Sequence, residues 1–87
     1  MWTVYVLKHS VTLQIYIGFT SDFKRRIAEH NSGGTISTRR KSGEWLPVYL
    51  EIFRSKQDAM NREYRLKHHG RAKQELMKRI ENSLNKS

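Results

Sequence analysis

The chain has no cysteine among its 87 residues. That excludes disulfides and thiolate metal sites, and it suits a reducing compartment. It has one proline and five glycines, so the backbone has few dedicated turn-makers. No apolar run approaches the ~20 residues that a membrane helix needs. No basic start or cleavage site precedes Trp2-Thr3-Val4-Tyr5-Val6-Leu7, so the expected location is the cytoplasm. Acid is also scarce: 8 Asp and Glu stand against 17 Lys and Arg, a net charge of +9. Such a balance calls for a polyanionic partner, and nucleic acid comes first. An anionic membrane surface fits poorly, because no helix combines a basic face with exposed aromatics. The bland alternative is that the charge serves solubility.

What is present is ordinary globular material, 37% hydrophobic and 29% charged, and its length suits one domain. A chain this short hides only about 60% of its unfolded surface, so the core is small. The expected division is a single domain over residues 1–84 and a frayed tail at 85–87. No repeat, low-complexity tract or second domain interrupts it.

Trp2 to Lys8 is β-branched and aromatic, and both of its alternating faces are apolar. It reads as a strand covered on both sides. His9 to Leu13 is a turn without glycine or proline. Gln14 to Phe19 reads as a second strand, antiparallel to the first. If Tyr5 and Tyr16 lie near opposite each other, their rings emerge on one face, because side chains alternate along a strand. Thr20, Ser21 or Asp22 can cap a helix running to about His30, with Phe23 and Ile27 as its apolar stripe. Asn31 to Lys41 is a loop with Gly33-Gly34 as a flexible point. Trp45 to Phe53 is a third strand that tolerates Pro47 near its start. Ser55-Lys56-Gln57-Asp58 reads as a capping box for a helix that ends near His69, with Gly70 as the stop. A final helix has Ala72, Leu76, Met77, Ile80 and Leu84 as its inner stripe. The fold class is α+β: a small three-stranded antiparallel sheet flanked by about three helices.

Tyr5, the triplet Tyr16-Ile17-Gly18, Arg26 and Glu63 form a spaced set suited to phosphodiester chemistry. Phenols handle protons, a guanidinium matches phosphate oxygens, and a carboxylate holds a cation. Each has a simpler reading. The tyrosines can be sheet aromatics. Arg26 can pair within its helix with Asp22 or Glu29. At about 100° per residue Glu63 falls inside the apolar arc of Ala59, Met60 and Leu66, where a carboxylate is costly unless paired. Lys67, four residues on, can be that partner. Gly18 marks a close backbone approach to the site or simply ends a strand. His30, four residues after Arg26, can reach a phosphate or a site residue, or be a surface or capping group. Lys24 and Arg25 face solvent or a nucleic-acid backbone. Thr38-Arg39-Arg40-Lys41 is a basic tip, either a phosphate grip or a solvated charge run. Arg62, Arg65, Lys67, Arg71 and Lys73 extend the electrostatic footprint. His68-His69 is no metal pair, because adjacent helix residues point about 100° apart.

Val4-Tyr5-Val6 followed by Tyr16-Ile17-Gly18 resembles the paired signature of the GIY-YIG nucleases, although the first motif lacks its glycine. The run from Tyr16 through Arg26 to His30-Asn31 has the spacing of that family's second motif and following helix. Ala59 to Lys67 resembles the helix that carries the family's acid. The likeness covers roughly residues 2 to 80 and is strongest to small stand-alone bacterial members, which lack the extra domains of UvrC-type repair nucleases. It implies the same fold and a metal-dependent endonuclease, on DNA in preference to RNA, with a place in repair or recombination. It implies catalytic roles for Tyr5, Tyr16, Arg26 and Glu63, with Glu63 holding a single Mg2+ or Mn2+ ion. Magnesium often needs only one carboxylate plus substrate phosphate. Target choice would come from nucleic-acid shape, this domain or a protein partner. The competing expectation is a basic nucleic-acid-binding module on the same fold, with cleavage weak or lost.

Overall fold

The computed structural model describes residues 1–32 and 43–85. Gly33-Gly34 and the basic tip Thr38-Arg39-Arg40-Lys41 lie outside the described residues. Three strands are described: β1 (Trp2–His9), β2 (Ile15–Thr20) and β3 (Trp45–Phe53). Four helices are described: α1 (Phe23–Asn31), α2 (Lys56–His68), α3 (Gly70–Arg79) and α4 (Glu81–Asn85). The strands form one antiparallel sheet in the order β2-β1-β3. The architecture is the expected α+β arrangement.

β1 is central because it is apolar on both faces. Val4 and Val6 join Ile17, Ala59, Leu66, Leu76 and Ile80 in the larger core, under α2 and α3. Tyr5 and Leu7 point the other way and pack with Trp45, Tyr16, Phe23 and Ile27, under α1. One strand therefore joins the structural core to the aromatic layer where the candidate residues gather.

The β1–β2 turn works without glycine. Two backbone N–H groups, of Val11 and Thr12, donate to His9 Nδ1 at 3.2 Å each. Leu13 takes a left-handed conformation at φ 63°, which is unfavourable for a side chain other than Gly, Asn or Asp. An imidazole acceptor and one strained residue together replace the missing turn signal.

Both expected caps are formed. Asp22 Oδ1 accepts from Arg25 N at 3.2 Å at the start of α1. Ser55 Oγ accepts from Asp58 N at 3.3 Å at the start of α2. The stop at Gly70 is not what ends α2. His69, extended at φ −116° and ψ 97°, separates the helices, and Gly70 is the first residue of α3. A Cβ at Gly70 would meet nothing within 4 Å, so no close approach calls for glycine there. The expected final helix is broken as well. Ile80 leaves helical geometry at φ −104° and ψ 21° while staying buried, so α3 and α4 both pack against the core. No helix among the described residues is long and apolar enough to cross a membrane.

Arg62 is not a free cation of the basic surface. Its Nε donates to Glu51 Oε1 at 2.8 Å, and Tyr49 Oη donates to Glu51 Oε2 at 2.5 Å. The three side chains tie α2 to β3.

Candidate active site

The β1–β2 register sets the site. Tyr5 lies opposite Gly18, and Tyr16 lies opposite Leu7. The two tyrosines share a face, as the two-residue period requires, but they are diagonal neighbours rather than directly opposite. Their rings stack at 6.1 Å between centroids with 23° between planes. Gly18 is not a strand terminator but lies inside β2. A Cβ there would come within 2.6 Å of Tyr5 Oη, 2.8 Å of Tyr5 Cζ and 3.0 Å of Tyr16 Cε1. The phenol of Tyr5 occupies the space that any side chain at 18 would need.

Gly18→Ala should therefore strain or displace both rings. Overpacking of this kind costs about 1–3 kcal/mol. In a domain of this size each kcal/mol lowers the melting temperature by about 4–8 °C. Thermal melts of the variant beside the parent check the expectation. An unchanged midpoint would mean that the rings give way freely.

α1 brings Arg26 and His30 to the same phenol. Arg26 Nε donates to Tyr5 Oη at 3.4 Å, and Tyr5 Oη lies 3.4 Å from His30 Nε2. Tyr5 is 1% exposed and His30 is 5% exposed. A buried hydroxyl proton requires an acceptor. Among the described residues His30 Nε2 is the one within reach, so the imidazole is neutral with its proton on Nδ1. His30 is therefore buried against the Tyr5 phenol, not a surface group. It packs edge-on against Tyr16 at 4.6 Å and against Tyr5 at 6.1 Å.

Burial pushes the Tyr5 phenol above its ordinary pKa, and the Arg26 hydrogen bond pulls the other way without cancelling it. Tyr5 is thus an intact phenol at neutral pH, not a phenolate. The hydrogen bond to Tyr5 raises the Arg26 pKa further from an already high value, with a smaller contribution from Tyr16. Arg26 also pairs with Glu29 through Nη1 at 3.3 Å, so the intrahelical partner expected from sequence is real. The two contacts coexist because they use different nitrogens. Asp22 is occupied as the α1 cap. The Arg26 side chain remains 46% exposed and open to solvent on one side.

Burial, and then the Arg26 charge, lower the His30 pKa. The sign of the linkage follows. Below about pH 6.5 the unfolded chain takes up a proton that the folded chain resists, so stability present above that pH is lost as pH falls. Melting temperature should decline from pH 7 to pH 5. His30→Gln should decline less steeply over the same interval. Parallel curves would show that His30 protonates freely in the folded state.

Glu63 lies on α2 with its side chain 21% exposed, and its Oε2 is 3.5 Å from Lys67 Nζ. Lys67 Nζ in turn sits 5.8 Å above the Tyr16 ring. The Glu63 charge is one of the influences that raise the Tyr5 pKa, so the acid acts on the phenol cluster. Among the described residues no group of three or more His, Asp or Glu could cage a metal. A lone, partly exposed carboxylate still fits a hard divalent ion that keeps its waters and takes further oxygens from phosphate. Lys24 and Arg25 are exposed on α1, and Arg25 Nε lies 3.9 Å from Glu29 Oε2.

Two further residues belong to this layer. Trp45 is buried, with its ring 6.1 Å from Tyr16 and 6.2 Å from His30. Its Nε1 has no hydrogen-bond partner among the described residues. Asn31 clamps the Trp45 backbone: Oδ1 accepts from Trp45 N at 2.7 Å and Nδ2 donates to Trp45 O at 3.1 Å. The clamp fixes the end of α1, and hence His30, against the sheet. Nothing local in the sequence signals it, because the partners are fourteen residues apart.

Comparison with known proteins shows the family. Residues 1–79 match the family described as the GIY-YIG catalytic domain. A UPF0213 protein of Halobacterium salinarum is 47% identical over 66 residues, covering 71% of this chain and 80% of that protein. A UPF0213 protein of Staphylococcus haemolyticus is 37% identical over 78 residues, covering 90% of this chain and 92% of its own length. The solution NMR structure of a UPF0213 protein from Bacillus halodurans superimposes with a TM-score of 0.56 at 36% identity. That match covers 92% of this chain and 85% of the other.

Proposed function

The chain belongs to the GIY-YIG catalytic domain family, a nuclease family, and from that premise we propose that it is a metal-dependent endonuclease that hydrolyses phosphodiester bonds, in DNA ahead of RNA. One observation supports the reading most. Arg26 and His30 of α1 converge within 3.4 Å of the Tyr5 hydroxyl, beside Tyr16 of β2. Sheet packing needs no guanidinium at a buried phenol, whereas phosphoryl chemistry needs a fixed cation beside groups that handle protons.

The roles follow from exposure and bonding. Tyr5 is buried and neutral, so it is a positioning residue that fixes the Arg26 fork and links it to His30. Tyr16 is half-buried and is the phenol that solvent reaches. Its oxygen accepts the hydrogen bond of the attacking water and orients it toward phosphorus. Arg26, free on its outer side, pairs with the phosphate oxygens on which charge builds. Glu63 is the residue that would hold a divalent ion. Such an ion, when bound, neutralises the phosphate and stabilises the leaving oxygen. In the net reaction the water oxygen bonds to phosphorus and the bond to the sugar oxygen breaks. One proton leaves the water and one reaches the leaving oxygen.

The net charge of +9 supports a sequence-independent grip on the backbone. Lys24 and Arg25 at the exposed side of α1, and the Thr38-Arg39-Arg40-Lys41 tip, would extend that grip. The reading places the protein in repair or recombination of cytoplasmic DNA. The test is incubation of purified protein with branched, nicked and single-stranded substrates, in magnesium or in EDTA. Cleavage is expected in magnesium alone. Salt-sensitive binding without cleavage on any substrate would leave a binding module in its place.

A further inference from the structure

Glu63 and Lys67 lie one turn apart on α2 and pair at 3.5 Å, with the ammonium side chain 41% exposed. Beyond Lys67, a cleft of about 240 Å³ opens between β2 and the helices. Ile15, Ile17 and Leu66 form its apolar wall, and Tyr16, Lys67 and Lys73 line the rest. No acid lines it. Lys73 is exposed and makes no ion pair among the described residues. The cleft offers two ammonium groups, one aromatic ring and an apolar wall, which together suit the phosphate and sugar of a nucleotide.

Lys67 has two positions open to it. Its stem is flexible and its head already lies over the Tyr16 ring. A divalent ion at Glu63 would meet the ammonium as a like charge a few ångströms away, and that repulsion would weaken the pair. With an ion held there, Lys67 would leave Glu63 for the cleft. A phosphate there would neutralise it.

We propose that the cleft bounded by Tyr16, Lys67 and Lys73 is a subsite for a phosphate neighbouring the one cleaved, and that Lys67 exchanges Glu63 for that phosphate when a divalent ion binds. The exchange rests on the nuclease reading above. Its consequence is reciprocal coupling: nucleic acid in the cleft favours the ion at Glu63, and the ion favours nucleic acid. Without nucleic acid, Lys67 opposes the ion, so the free protein holds metal weakly.

Lys67→Met tests this, since it keeps chain length and helix propensity and removes the charge. Magnesium is titrated into nucleic-acid-free protein and followed by thermal stability, with Glu63→Gln as the zero reference. Lys67→Met is expected to bind magnesium about two- to fivefold more tightly than the parent, the range set by losing one exposed ion pair. Binding to a short single-stranded oligonucleotide with an uncleavable backbone is then measured at fixed magnesium across monovalent salt. Lys67→Met and Lys73→Met should each weaken it and flatten the salt slope by about 0.7. Unchanged or weaker magnesium binding in Lys67→Met would overturn the exchange. Unmoved salt slopes would remove the phosphate from the cleft. If neither the parent nor Lys67→Met takes up an ion through Glu63, the nuclease reading falls along with the exchange. If the parent does, and Lys67→Met changes nothing, the exchange alone falls.

Discussion

Glu63→Gln should abolish magnesium-dependent cleavage while leaving the fold intact. Glutamine keeps the shape and loses the charge. The side chain is 21% exposed, and its one ion pair among the described residues is with Lys67. Losing an exposed pair of this kind costs at most about 0.5 kcal/mol, and removing a partly desolvated carboxylate offsets some of it. The melting temperature should stay within a few degrees of the parent. Cleavage should fall by about 10²-fold or more, the effect expected of losing one group that stabilises transition-state charge. Magnesium should no longer shift the melt. Binding to nucleic acid should persist or tighten, because a negative charge has left a basic surface. Intact magnesium-dependent cleavage would reduce Glu63 to the helical partner of Lys67.

Arg26→Lys should produce the second large loss. Lysine keeps one positive charge but has no planar fork. In the parent, Nε donates to Tyr5 and Nη1 to Glu29, and the side chain is still 46% exposed and accessible to phosphate. A lysine ammonium cannot hold a phenol, a carboxylate and a phosphate in one plane. Cleavage should fall by about 10²-fold. Stability should change little, because the side chain is 46% exposed and its pair with Glu29 is on the surface. Single-turnover rates and thermal melts decide the matter. Full activity with a lowered melt would make Arg26 a structural residue of α1.

Much of this fold was legible because its signals are local. Alternation in Trp2–Lys8 marked a strand covered on both sides, and it is the central one. Asp22 and Ser55 stood where caps stand, and each accepts the expected backbone N–H. The helix ends were harder to read. α2 stops at an extended His69, and α3 breaks at Ile80, at points set by packing rather than by glycine. The simpler pairings, Arg26 with Glu29 and Glu63 with Lys67, were also legible, because i,i+3 and i,i+4 neighbours always meet on a helix.

The sequence by itself determined which chemical groups are present and, through the periods of strand and helix, which of them share a face. It placed Tyr5 with Tyr16, Arg26 within reach of His30, and Glu63 in line with Lys67. Only the tertiary structure decided what those groups are chemically. The partners of the Tyr5 hydroxyl lie 21 and 25 residues along the chain. Register put Gly18, not Tyr16, opposite Tyr5, and so made room for the buried ring. Burial then kept the phenol protonated and the imidazole neutral. It also left the half-buried Tyr16 as the more accessible of the two tyrosines. Protonation and access depend on neighbours and dielectric, and chain folding brings those together from segments that carry no local trace of one another.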